Sequence, residues 1–336
     1  MTNLFIGLSK NHIDSFEAIL DQNKNDNMNI LITSNAILFN KFLWDEVISI
    51  DESFNNQSYS TISSIYNIYN KIRNYKKIIA RLDKFRNEKK ITLFFTYIED
   101  ILTNYLLLSF NSYLIGVVVE DGTLNYYGHT IKNISPLTRY SKWILSNCIG
   151  VKYRFYKGHS SGIEYDHVVK QYVKMPELSV CPEKSVQLPF STEIFKPEET
   201  VLIVGQEAYI NMSGLKRYQN ALKELIELIN KKNYLKTVKK VYYKPHRHGQ
   251  RINYNILKEN LIDKEVEILE KDMPLERLYF EKLKSKYIFS FDSSVLLNIY
   301  IESCKESREM LDFNVLLKYN KELYTIFKKF KFSIYS

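Results

Sequence analysis

Tyr113-Leu114-Ile115-Gly116-Val117-Val118-Val119-Glu120-Asp121-Gly122 decides the fold class. Residues 113–119 are apolar at both alternating positions, the pattern of a strand covered on both faces, and such strands belong to parallel sheets flanked by helices. Two carboxylates and a glycine follow. In open parallel sheets ligands bind beyond the carboxyl ends of strands, so Glu120 and Asp121 emerge where a site would form, and Gly122 permits a sharp turn there. The tripeptide reads equally as an acidic turn capping the next element.

The same alternation extends in both directions. Toward the start, 3–7, 29–33, 46–50 and 91–95 read as strands, with a helical pattern over 12–20 and room for crossover helices elsewhere. From 61 to 90 the apolar residues recur at helical spacing, and 71–90 carries nine basic residues against Asp83 and Glu88. This predicts a long, basic, surface-facing helix, read either as a solvated face or as a surface for an acceptor or membrane. Four of the seven prolines fall within 175–199, which predicts a linker. Beyond it, strands are expected at 201–205, 239–243, 266–269 and 287–291, with helices at 215–230, at 274–283 and from about Ser293. The organisation is thus α/β: an N-terminal domain over 1–175, a linker over 176–199, a second domain over 200–312, and a segment 313–336 packing back across the domains. Two such domains predict a cleft between them.

Composition narrows the function. The chain has 336 residues, and 47 Lys plus Arg against 38 Asp plus Glu give +9, so anionic partners are expected. Its 10 glycines are scattered, and neither G-x-G-x-x-G nor a Walker-type loop can be written. Cys148, Cys181 and Cys304 form no C-x-x-C pair, against a zinc ribbon or a disulfide framework. The apolar stretch 105–119, broken by Ser109, Asn111 and Ser112, is too short to span a bilayer, which needs about 20 residues. Residues 1–7 resemble a first strand rather than a signal peptide, so the reading is cytoplasmic.

Two more clusters sit at strand ends. In Lys244-Pro245-His246-Arg247-His248 the proline restricts its neighbours, and an imidazole beside two cations suits a phosphate. A surface histidine cluster is the plainer reading; a metal held by His246 and His248 lacks a third ligand nearby. In Asp292-Ser293-Ser294 two hydroxyls precede a helix, where side-chain donors and the positive dipole end can hold phosphate, or where Asp292 or Ser293 simply caps. Glu276, in Pro274-Leu275-Glu276, could accept from ribose hydroxyls or serve as a dipole partner.

These motifs, in this order, resemble the bacterial sialyltransferases of lipooligosaccharide and capsular polysialic acid synthesis. That group shares an acidic-acidic-Gly motif, a His-Pro motif and a Ser-Ser motif on a two-domain GT-B fold with two Rossmann-like domains. Here they stand as Glu120-Asp121-Gly122, Lys244-Pro245-His246 and Ser293-Ser294, with Pro274-x-Glu276 and Val204-Gly205-Gln206, over roughly 113–299. The resemblance implies Asp121 as general base, with Glu120 its alternate, and His246 as acid or electrostatic stabiliser. By the same resemblance Ser293, Ser294, Lys244, Arg247, Glu276 and Gln206 would bind the CMP donor. One departure is Arg247, which stands where the family has a proline. The implied reaction is an inverting, metal-independent transfer of sialic acid from CMP-sialic acid to a glycan acceptor of capsule or lipooligosaccharide type, possible with a lipid-linked acceptor and peripheral membrane contact.

Two rival readings follow from the same residues. A GT-B transferase could use CMP-Kdo or a UDP-sugar. A basic binding protein for a membrane would use 71–90 and the end segment 321–332, where Lys328, Lys329 and Lys331 interleave with Phe327, Phe330 and Phe332. Nucleic acid is not expected, because the charge is spread and no recognition motif is present.

Overall fold

The computed structural model describes residues 1–23, 26–51, 61–247, 249–261, 263–319 and 321–336. They form two compact units, Met1–Phe190 and Ser191–Ser336.

In the first unit β1 (Thr2–Gly7) leads into α1 (Lys10–Gln22), capped by the Ser9 side chain, and then into β2 (Met28–Ser34) and β3 (Glu46–Ile50). Helix α2 (Thr61–Leu82) precedes β4 (Ile91–Phe95), and α3 (Ile101–Tyr105), continued by a π turn, precedes β5 (Leu114–Val119). Helix α4 (Pro136–Ile149), β6 (Val168–Val173) and β7 (Ser185–Gln187) complete it. Among the described residues the sheet order is β3-β2-β1-β4-β5-β6-β7, every pair parallel. Strand order therefore reverses between β1 and β4, the switch point where such sheets open a crevice. Strand burial explains the two-parity pattern. Phe5 and Val117 face α1, with Phe5 stacked on Phe94 at 4.3 Å, while Leu4, Leu93 and Val118 face the other core.

The second unit repeats the plan. Strand β8 (Glu198–Val204) is followed by α5 (Ile210–Ser213), α6 (Leu215–Lys231), β9 (Lys240–Lys244), α7 (Asn255–Asn260) and β10 (Glu265–Ile268). Then come α8 (Leu275–Leu278), β11 (Ser285–Ser290), α9 (Val295–Glu302), α10 (Lys305–Glu309), β12 (Asp312–Leu316), α11 (Tyr324–Lys329) and β13 (Ser333–Tyr335). The described order is β10-β9-β8-β11-β12-β13, again all parallel, with the switch point between β8 and β11.

Three expectations are corrected. The linker expected over 176–199 is shorter than its span: 3-10 turns and β7, paired with β6, occupy much of 176–187, Leu188 is buried in the first core, β8 starts at Glu198, and the two units divide at Phe190/Ser191 inside it. Prolines there start short 3-10 turns, Pro176–Leu178 and Pro182–Lys184, because a fixed φ suits a first helical position. The segment 313–336 adds β12 and β13 to the second sheet, and its phenylalanines are core residues: Phe313 stacks on Phe332 at 4.6 Å, and Phe327 and Phe330 are buried. Its lysines supply a hydrophilic outer side, not a free basic-aromatic strip. The helix expected through residue 90 ends at Leu82, where a 3-10 turn over Asp83–Phe85 leads toward β4. Nor is it wholly surface-facing, since Ile72, Tyr75, Ile78 and Leu82 are buried. No helix among the described residues is long and apolar enough to cross a membrane.

Removing the Phe332 ring should cost about 3 kcal/mol or more, the usual range for Phe→Ala in a core. Urea unfolding of Phe332→Ala measures this; a loss under about 0.5 kcal/mol, typical of a surface site, would show that the segment is not part of the core.

Candidate active site

In the second unit Val204 pairs with Lys244 on one side and Ser290 on the other, so the chains carrying Gln206, His246 and Ser293 leave neighbouring strand ends. This is the switch point of the second sheet. Gly205 makes the approach possible: a Cβ there would meet the hydroxyl of Tyr243, and the Glu207 carboxylate at 2.8 Å. Glu207 is fully buried. Its carboxylate accepts from the Tyr243 hydroxyl at 2.6 Å and from the His246 amide at 2.7 Å, which ties the Lys-Pro-His loop to the end of β8. Tyr243 in turn meets Tyr218, whose hydroxyl lies 3.0 Å from the Gln206 amide and accepts from it. Burial pushes the Glu207 carboxyl above its usual range, against hydrogen bonds that pull it down.

Lys244, expected to contact a phosphate, is engaged by backbone carbonyls. Its ammonium is buried and donates to the carbonyl oxygens of Glu270 at 2.8 Å and Lys271 at 2.6 Å, with Pro245 at 3.4 Å. It therefore braces the loop after β10, and burial lowers its pKa. Lys271 returns the favour by donating to the Gly249 carbonyl at 2.8 Å. The His246 residue is half-buried and Arg247 is exposed; His248 lies outside the described residues. Ser293 is buried at the start of α9, its hydroxyl 3.4 Å from the Val295 amide, whereas Ser294 is exposed. Glu276 accepts from the Asn298 side chain at 2.9 Å, which holds the start of α8 against α9. The Asp292 carboxylate accepts from the Tyr319 amide at 2.8 Å.

In the first unit the acidic turn splits its two carboxylates between unlike surroundings. Glu120 is buried and accepts from the Tyr126 hydroxyl and, at 2.6 Å, from the Lys174 amide. Burial and the Glu120 charge push the Tyr126 hydroxyl well above its ordinary pKa, so it stays a donor. The Asp121 side chain is 45% exposed. Its Oδ1 lies 3.2 Å from His12 Nε2, and the Leu8 amide donates to Nδ1 of the same ring at 3.2 Å. Because Nδ1 accepts, the ring proton of a neutral His12 resides on Nε2 and is given to Asp121. The Asp121 amide is held by Asn125 Oδ1 at 2.9 Å, and Gly122 turns the chain with φ of 53°.

Close to the switch point of this sheet stand Glu99 and Asp100, after β4. Asp100 caps α3 and accepts from Tyr75 at 2.9 Å and Lys71 at 3.0 Å. Burial opposes its charge, but Lys71 and Tyr75 outweigh burial and hold it below the usual carboxylate range. Glu99 is buried and shifts the other way, raised by burial, with its Oε2 accepting from Tyr153 at 2.5 Å. His12, Glu99 and Glu207 were not singled out from the sequence. A histidine at the start of the first helix and a glutamate two residues past a strand-end glycine are the signals that would have found two of them.

No curated protein matches the chain in sequence. A family profile described as alpha-2,8-polysialyltransferase matches residues 3–303. The chain belongs to the alpha-2,8-polysialyltransferase family. Among solved structures, the GT-B domain of a sialyltransferase from Photobacterium damselae is similar at 11% identity with a TM-score of 0.52, covering 100% of each chain. Os79 from O. sativa, solved with UDP and a deoxynivalenol glucoside, is similar at 10% identity with a TM-score of 0.50, covering 96% of this chain and 82% of that one. At these identities the likeness establishes the fold, GT-B. The chain is thus a sialyltransferase and hence a glycosyltransferase, taking a nucleotide-sugar donor and a glycan acceptor.

Glu207 gives a pH prediction. Its folded-state pKa is raised, so its contribution to stability is present below the ordinary carboxyl range and is lost as pH rises through the folded value. In Glu207→Gln the amide oxygen can still accept from His246 and the amide nitrogen can donate to Tyr243, with no charge to bury. Thermal melts from pH 4 to 8 should show the variant losing less stability than the wild type as pH rises; parallel curves would contradict the assignment.

Proposed function

We propose that this sialyltransferase moves sialic acid from CMP-sialic acid onto a hydroxyl of a glycan acceptor in one inverting displacement that needs no metal. The reading rests on one observation, the polysialyltransferase match over 3–303, which takes in both the Glu120-Asp121-Gly122 turn and the Ser293-Ser294 pair. The family description favours a sialylated acceptor and α2,8 chain extension, as in a capsular polysaccharide.

In this reading Asp121 is the base. It is the accessible carboxylate of the turn, and the His12 Nε2–H holds Oδ1 so that Oδ2 is aimed by the ring rather than by solvent. Asp121 takes the acceptor proton while the acceptor oxygen bonds to the anomeric carbon of sialic acid. The bond from that carbon to the CMP phosphate oxygen breaks with its electron pair, and attack opposite the leaving group inverts the centre. Charge then gathers on the phosphate. His246, with its loop pinned by Glu207, donates a hydrogen bond or a proton to it, and Arg247 and the Ser293-Ser294 start of α9 supply further positive potential. These groups belong to the protein, which supports a phosphate stabilised without a metal cation. Glu276 would receive the ribose hydroxyls, with Asn298 steadying it, and Gln206 would line the nucleotide pocket. Glu120 is proposed as a brace for the turn.

Transfer from CMP-sialic acid to a short sialic acid primer tests these roles. Asp121→Asn and His246→Ala should each slow turnover by on the order of 10² to 10⁴. His12→Ala should lower kcat by on the order of tenfold or more through misplacement of Asp121, and His12→Gln, which keeps a donor, should lose less. Full activity in Asp121→Asn, or a folded Glu120→Gln protein that alone loses turnover, would transfer the base to Glu120 and overturn the assignment.

A further inference from the structure

The face built by α4, α2 and the chain through Phe155 carries side chains that the transfer reaction leaves unused. Leu137, Tyr140 and Ile144 recur along α4 at three- and four-residue spacing, so they share one stripe, with Trp143 beside it. Phe155 stacks on Trp143 with centroids 6.0 Å apart and meets Tyr140 edge-on at 5.7 Å. All five are between 41% and 56% exposed. The opposite side of α4 is spent on the core through Leu145 and Ile149, so nothing in the fold requires large apolar groups on this side.

The charge of the same face is one-signed. Residues 122–163 contain six Lys or Arg and no Asp or Glu. Helix α2, which packs on α4, has five more and again no acid. Lys152, Arg154 and Lys157 flank Phe155 and are exposed, as are Tyr66, Tyr69 and Arg73 on α2. Exposed Glu164 accepts from the His159 amide at 3.0 Å, past Lys157 at the edge of the face. Apolar and aromatic side chains rimmed by an excess of cations match the boundary between lipid headgroups and acyl chains, where aromatic rings settle and phosphates lie just above. An anionic glycan would use the cations and could stack on rings, but it gives Leu137 and Ile144 no partner.

We propose that this face docks on an anionic phospholipid surface, with Leu137, Trp143 and Ile144 entering the headgroup boundary and Lys152, Arg154 and Lys157 meeting lipid phosphates. The inference stands apart from the donor and base assignments. It also moves the membrane contact away from the end segment 321–332, whose phenylalanines are buried.

The test is flotation with vesicles of phosphatidylglycerol and phosphatidylethanolamine, against vesicles of phosphatidylcholine alone, while the tryptophan emission is followed. Trp44 is buried, so a blue shift on binding reports Trp143. The wild type should float with anionic vesicles and shift its emission, and little should float with phosphatidylcholine. Replacing Leu137, Trp143 and Ile144 together by Ser should abolish flotation while transfer to a soluble primer persists. Changing Lys152, Arg154 and Lys157 to Gln should weaken binding roughly hundredfold, at roughly fivefold per cation. Lys328→Gln/Lys329→Gln should bind as the wild type. The proposal is overturned if the wild type ignores anionic vesicles, if the Ser variant floats unchanged, or if soluble oligosialic acid shifts Trp143 while lipid does not.

Discussion

Parallel pairing on both sides of β1 and of β8 is the constraint on which the rest of the molecule depends. A parallel sheet sends every connection back across a face, so both faces must be covered and every strand delivers its carboxyl end to the same edge. With strand order reversing at β1/β4 and at β8/β11, each sheet opens at one place on that edge. In the second unit the segments after β8, β9 and β11 meet there; in the first, the acidic turn after β5 reaches His12 at the start of α1. Chemistry is thus gathered from residues far apart in the chain by hydrogen bonds that carry no sequence signal of their own.

Several buried charges serve these edges by holding backbone. Glu207 holds the His246 amide, Lys244 holds two carbonyls beyond β10, and Glu120 holds the Lys174 amide. An ion taken from water needs such partners, since an unpaired buried charge costs several kcal/mol. The same economy separates the turn's neighbouring carboxylates: Glu120 is consumed by packing, and Asp121 keeps an accessible edge with one imidazole directing it. The outward surfaces follow another rule: the aromatic side of α4 is flanked by the exposed cations Lys152, Arg154 and Lys157.

The strands were legible because burial on both faces leaves uninterrupted apolar runs. Residues 91–95, buried at four of five positions, coincide with β4 to the residue; 46–50 coincide with β3, whose alternating Ile48 and Ile50 are its buried side. Elements failed to show where burial was one-sided or polar. Strand β6 has Val169, Lys170 and Gln171 at its centre, and β7 is a three-residue edge strand among prolines. Strands β12 and β13 are hidden among the lysines of 313–336, although Phe313 in β12 and Phe327, Phe330 and Phe332 between the strands are core. Among site residues, strand-end position was readable for Asp121, His246 and Ser293. For Lys244 the sequence shows a cation beside a histidine, while the carbonyls of Glu270 and Lys271 that accept from its ammonium leave no local signal. His12 and Glu207 act through partners 109 and 39 residues away, so only their places at a helix start and just past a strand-end glycine show locally.

The central claim is that the strand ends of the second unit hold a cytidine monophosphate through Ser293 and its neighbours. Isothermal titration of the full chain with CMP and with UDP measures this most directly. CMP should bind to the wild type and bind more weakly to Ser293→Ala, with UDP giving little heat; tight UDP binding without CMP binding, or CMP affinity unchanged by Ser293→Ala, would contradict it.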